Sequence, residues 1–202
     1  MLRSVPAPFP QIPMKHSLLF LSLLLTLNAQ AQKLRKTDTG SGMLDKGEKT
    51  GVWEYYAYTR DGSQVITQKY DHTAKKLVFF RPFDDVPYAV RNAAGDWTRQ
   101  RVTHPIFYIG SDAALAPYMS KLNYPASAQT KNVQGRVLVS IVVDTLGHAI
   151  DQQVVLGIGS GCDEEALRVA RSIPDQWIPA RIGSHAVVSK YELPFTFRLR
   201  PQ

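Results

Sequence analysis

The sequence predicts an α+β fold: a three-stranded antiparallel sheet backed by two helices, preceded by a small β meander. Three observations carry this. Apolar residues alternate at period two over residues 137–143 and 191–199. A stripe at helical spacing runs over residues 162–173. Two Tyr- and Val-rich runs flank Asp61-Gly62, a strong hairpin signal.

The C-terminal elements follow in the order helix, strand, strand, helix, strand. A first helix is expected from about Asp112 to Leu122, with Leu115, Tyr118, Met119 and Leu122 inward. Pro125 stops any extension through Tyr124. In the first strand Val137, Val139, Ile141 and Val143 alternate with Arg136, Leu138, Ser140 and Val142. Asp144-Thr145-Leu146-Gly147 makes the turn, because Gly147 tolerates the positive φ that closes it. Ile150, Gln152, Val154, Leu156 and Ile158 form the second strand. Gly159-Ser160-Gly161 and then Asp163-Glu164-Glu165 start the second helix, with acids where the helix dipole favours them. Cys162, Ala166, Val169, Ala170 and Ile173 share its inner face, and Pro174 ends it. In the last strand Tyr191, Leu193, Phe195, Phe197 and Leu199 face the core, and Lys190, Glu192, Thr196 and Arg198 face water.

The N-terminal half divides differently. Residues 32–50 are rich in Lys, Gly, Thr and Asp and read as a flexible lead. Residues 51–58, 65–70 and 76–80 read as a meander packing on the C-terminal domain. Residues 81–103, punctuated by Pro82, Pro87, Asn92 and Gly95, read as a linker with some local structure. The domains are therefore residues 32–103 and 104–202. Ahead of them, Lys15, the apolar run at 18–27 and Ala29-Gln30-Ala31 predict a secretory signal peptide over residues 1–31, with Met14 as an alternative start. The apolar run falls short of the roughly 20 residues of a membrane helix.

Composition limits the function classes. The chain has 202 residues and a net charge of +7, but its Lys and Arg are dispersed and no nucleic-acid motif accompanies them. Nucleic acid is not an expected partner. The single cysteine, Cys162, excludes an internal disulfide.

Asn123-Tyr124-Pro125-Ala126, Gly135-Arg136-Val137, Val143-Asp144 with Gly147, Asp163 with Ala166, and Trp177-Ile178-Pro179-Ala180 occur in an order and spacing that resemble the TonB C-terminal domain. The lead-in at residues 104–118 is similar to that of energy-transducer domains of the Bacteroidetes type. The resemblance spans about residues 104–200, and its structural motif residues are Tyr124, Pro125, Gly135, Asp144, Gly147, Trp177 and Pro179. Separately, Gly51-x-Trp53-x-x-Tyr56 followed by Asp61-Gly62 looks like one unit of a MORN-type strand repeat; at least three units are needed for a repeat architecture.

Other chemistry finds little support. Gly157-Ile158-Gly159-Ser160-Gly161 lacks the third glycine of a dinucleotide loop and the Lys-Ser/Thr pair of a P-loop. Cys162 sits on the apolar stripe beside three acids, which oppose a thiolate. His16, His72, His104, His148 and His185 form no ligand cluster, so neither metal nor cofactor is expected. A periplasmic enzyme using Cys162 is the least supported class.

The last strand remains. Pro194 cannot donate a ladder hydrogen bond, which places this strand at an edge, at least locally. Such an edge accepts an extended peptide by strand addition. The residues expected to form it are Lys190, Tyr191, Glu192, Leu193, Pro194, Phe195, Thr196, Phe197 and Arg198. The resemblance implies that the peptide belongs to an outer-membrane TonB-dependent transporter, and that the chain is a non-enzymatic periplasmic module in outer-membrane transport. A transducer anchored in the inner membrane by an uncleaved segment, meeting the motor proteins there, is the alternative the resemblance also offers. The missing Pro-rich spacer speaks against it.

Overall fold

The computed structural model describes residues 32–81 and 84–199; the expected signal peptide lies outside them. The N-terminal part is a five-stranded antiparallel meander in chain order. Its strands are β1 (Lys33–Thr37), β2 (Gly40–Asp45), β3 (Glu48–Tyr58), β4 (Gln64–Asp71) and β5 (Lys76–Phe80). The 32–50 stretch expected to be a flexible lead is therefore β1, β2 and the start of β3. Its polarity misled because all five residues of β1 are exposed. The two-residue turn Lys46-Gly47 has positive φ at both positions (51° and 90°), which matches the twist of the flanking strands. Gly42 is required: a Cβ there would lie 2.4 Å from the Trp53 ring, which rests on this backbone. The Trp53 indole N–H donates to the Met43 carbonyl at 2.9 Å.

Trp53, Tyr55 and Tyr70 make a small core with Ile178, and Phe107 and Ile109 pack on it. The meander thus rests on the C-terminal part, as expected. Polar contacts join the same surfaces. The buried Gln68 amide donates to the Tyr108 carbonyl (3.1 Å) and accepts from the Gly110 N–H (2.8 Å). The Thr67 and Ser111 hydroxyls share a hydrogen bond of 2.8 Å.

The C-terminal part contains β6 (Tyr88–Arg91), β7 (Trp97–Gln100) and β8 (Phe107–Tyr108). A 3₁₀ turn (Asp112–Ala114), α1 (Ala116–Met119) and α2 (Ala126–Thr130) come next. Then follow β9 (Gly135–Val143), β10 (Ala149–Leu156), α3 (Cys162–Arg171), β11 (Trp177–Ile178), β12 (Ala180–Ile182), β13 (His185–Val187) and β14 (Ser189–Phe197). The main sheet runs β10-β9-β14-β6-β7, antiparallel throughout. Two small ribbons pair β8 with β11 and β12 with β13.

The mixed helix and sheet layer is as expected, but the sheet has five strands rather than three. The extra two form a hairpin inside the expected linker, N-terminal of residue 104. The punctuation read as linker is its turn. Gly95 N–H donates to the Asn92 carbonyl, and Asp96 N–H to the Asn92 side-chain oxygen at 2.8 Å. Of the hairpin's strand residues only Val90 is buried, so no apolar pattern advertised it.

The expected helix over 112–122 is broken into the 3₁₀ turn and α1. Pro117 sits in the first turn of α1, where its missing N–H does no harm but forbids a helix running through from 112. The inward residues are correct: Leu115 is buried and Tyr118, Met119 and Leu122 pack beside it. Pro125, expected to stop a helix and as a motif residue, occupies the N-cap position of α2.

One face of the sheet is the core. Val137, Val139, Ile141 and Val143 are wholly inaccessible, and Leu193, Phe195 and Phe197 lie in the same layer. α3 covers them with Cys162, Ala166, Val169 and Ala170.

Candidate functional site

The motif residues assemble into scaffold. Asp144 closes the β9–β10 turn, its Oδ1 accepting the N–H groups of Leu146 and His148 at 2.8 Å. Gly147 (φ 91°) is packed so tightly that a Cβ would stand 2.2 Å from the Trp177 carbonyl oxygen and 3.7 Å from Pro179. The buried Trp177 meets Tyr108 edge-on at 4.9 Å. Tyr124 donates to the Val133 carbonyl at 2.6 Å and meets Phe197 edge-on at 5.6 Å. Pro125 lies against Gly161, and Gly135 (φ 151°) against Ile158. These spacings are those of backbone seams between elements, where only a small residue or a particular ring fits.

The glycine-rich turn before α3 has no free anion cradle at its centre. The N–H groups of Ile158 and Gly159 already bond the Asp163 carboxylate at 2.8–3.2 Å. A Cβ on Gly157 would collide with that carboxylate at 2.3 Å. Cys162 is completely buried, and its thiol is pushed up by burial and by the charges of Asp163 and Glu164. That is the opposite of an activated nucleophile. Among the described residues, no group of three His, Cys, Asp or Glu is placed to hold a metal.

The strand β14 presents the remaining candidate. On one side it pairs with β9 over all nine residues, Ser189 opposite Val143 to Phe197 opposite Gly135, without a bulge. On the other side β6 pairs at Ser189 alone, opposite Val90. β14 is therefore not the sheet's outermost strand, contrary to expectation. β10 and β7 hold those positions. Yet beyond Lys190 no strand among the described residues pairs with its second edge. Pro87 explains part of this. Continued in register it would face Glu192, and it has no N–H to offer.

The direction of the free groups follows from one bond. Arg91 N–H donates to the Val188 carbonyl at 2.8 Å, so Val188 turns its backbone toward β6. In an unbulged antiparallel strand the direction repeats every second residue. Lys190, Glu192, Pro194 and Thr196 thus turn their backbone groups away from β9: the Lys190 N–H meets the Ala89 carbonyl beside the Ser189–Val90 pair, and Glu192, Pro194 and Thr196 face the open edge. Tyr191, Leu193, Phe195 and Phe197 turn theirs to β9. Pro194 stands where a donor would otherwise be exposed. Side chains split likewise: Leu193, Phe195 and Phe197 are buried, while Glu192, Pro194, Thr196 and Arg198 are exposed.

A groove of about 690 Å³ opens where β6 leaves β14. Lys190, Tyr191 and Glu192 form one wall; Tyr88, Phe107 and Asp112 are among the residues opposite. Tyr191 is fixed there by a 3.3 Å hydrogen bond to Asp112, and burial, reinforced by that carboxylate, raises its phenol far above the ordinary value. By contrast β10, the true outer strand, carries two register shifts that disrupt its ladder geometry. Sequence reasoning missed β6, β7 and Gln68, all of which shape this groove. The only available signal was the Asn92-to-Gly95 turn.

Residues 120–199 match the family of the Gram-negative bacterial TonB protein C-terminal. The match begins at the end of α1 and covers α2 through β14, leaving β1–β8 outside it. No curated protein and no solved structure matches the chain.

Proposed function

We propose, from the membership of residues 120–199 in the TonB C-terminal family, that the chain is a binding module that pairs by strand addition with an outer-membrane transporter. The family is a transport-associated, non-enzymatic domain of the Gram-negative envelope. No helix among the described residues is long and apolar enough to cross a membrane. The partner's segment lies along Lys190–Arg198, and the protein works in the periplasm.

One observation carries this reading: the edge of β14 beyond Lys190 is unbulged and without a ladder partner among the described residues, and it borders a groove. Backbone bonds at Glu192 and Thr196 and at the Pro194 carbonyl supply affinity, and the groove beside Tyr191 supplies register. Three such rungs make a small contact, so the complex is transient.

Titration of synthetic peptides copied from the periplasmic N-terminal segments of outer-membrane transporters tests it. The amide resonances of Glu192 and Thr196 should shift and gain protection from exchange, while those of Leu193 and Phe195 stay bonded to β9. If no such peptide moves the first set, the strand-addition reading is wrong.

A further inference from the structure

We propose that the solvent side of the C-terminal sheet holds a second site, adjoining the β14 edge and sharing Lys190 with it, for a monocarboxylate on a short apolar stem. The site is a cavity of about 420 Å³. Its floor is Ser140 and Val142 of β9, both 5% exposed, on the face away from α3.

Four features converge on it. The indole of Trp97 on β7 carries two cations: the Lys190 ammonium lies 4.2 Å from its ring centroid and the Arg91 guanidinium 5.1 Å. Neither cation forms an ion pair within the described residues. The aromatic face holds them in place and leaves their N–H donors unspent. The Ser140 hydroxyl is buried in the cavity floor without a hydrogen-bond partner. A buried hydroxyl in that condition is unfavourable unless something bonds it. The fourth feature is the apolar wall of β10: Ile150 and Val155 line the cavity yet are 53% and 54% exposed.

The charge balance selects the ligand. The lining holds Arg91 and Lys190 against Asp151, whose carboxylate accepts from Gln153 at 2.8 Å. Glu192 shares this face but lines the neighbouring groove. The one excess positive charge of the lining suits a single anionic group, and Asp151, with Glu192 paired opposite Ser140, disfavours a dianion. The planar fork of Arg91 fits a carboxylate, the Ser140 hydroxyl donates to it, and the stem covers Ile150 and Val155.

Octanoate is the probe, titrated into the intact protein while the Trp97 indole N–H resonance, assigned with a Trp97→Phe variant, is followed by NMR. A saturable shift in the millimolar range is expected, as for a ligand of this size. Arg91→Gln and Ser140→Ala should each weaken it about tenfold, the loss of one charge-assisted hydrogen bond. Ser140→Ala should leave the unfolding midpoint unchanged or raised, which separates a binding role from a structural one. Octanol and acetate should bind more weakly than octanoate, and octyl phosphate should not exceed it. No saturable shift, equal binding of octanol, tighter binding of octyl phosphate, or full affinity in Ser140→Ala would each overturn the assignment.

Discussion

The N–H of Arg91 bonds the carbonyl of Val188 at 2.8 Å, one residue before β14 begins. This bond fixes which backbone groups of β14 are spent on the sheet and which are open. Because the alternation is strict, Thr196 points its N–H outward and Phe195 points its N–H to β9.

Replacing Thr196 with proline should therefore remove an outward donor and abolish peptide pairing. The fold already tolerates Pro194 in the same orientation, so the melting temperature should change by no more than ~5 °C. Phe195→Pro should instead unfold the domain. Circular dichroism melts and peptide titration of the two variants check this.

Pro194→Ala restores a donor in the middle of the open edge. Peptide affinity should rise by the worth of one hydrogen bond, about 0.5–1.5 kcal/mol. The same change should promote self-association, because proline is one of the devices that guard an edge. Analytical ultracentrifugation with and without peptide reads both effects.

Gly147→Ala places a methyl group 2.2 Å from the Trp177 carbonyl oxygen at a φ of 91°. Neither the turn nor the Trp177 backbone has room to give. The loss of stability should be at least about 2 kcal/mol by urea unfolding.

Acidification should weaken the meander. Burial, together with the charge of Lys49, lowers His72 from its ordinary value to about 4, and its Nε2 lies 2.7 Å from the Tyr55 hydroxyl. The unfolded chain binds a proton near pH 6.5 and the folded chain only near 4. The contribution of His72 is thus intact above 6.5 and lost as pH falls toward 4. For this partly exposed ring the loss is on the order of 1–2 kcal/mol. His72→Gln should flatten that part of the stability–pH curve, measured by urea unfolding between pH 7 and 4.5.

The parts of the fold that were legible are those with a strong one-sided apolar pattern. β9, β14 and α3 each bury a whole face, so period and burial coincide. β1 buries nothing, and β6 buries only Val90, so their positions depend on backbone pairing and on partners distant in sequence. The candidate site divides in the same way. Pro194 advertised an open edge, but its length depends on where β6 departs, and that is set by Pro87 and a hairpin that resembled a linker. Gln68, buried between the two sheets, looked like an ordinary polar strand residue because its partners are the backbone groups of Tyr108 and Gly110.

The placement of Pro194 also bears on how a captured chain would let go under tension. The open edge gives two footholds, Glu192 on one side and Thr196 on the other, with a donor missing between them. A pull across the strand would load these footholds in succession rather than together. Such a joint unzips at low force, whereas a pull along the strand axis would shear all of them at once and hold longer.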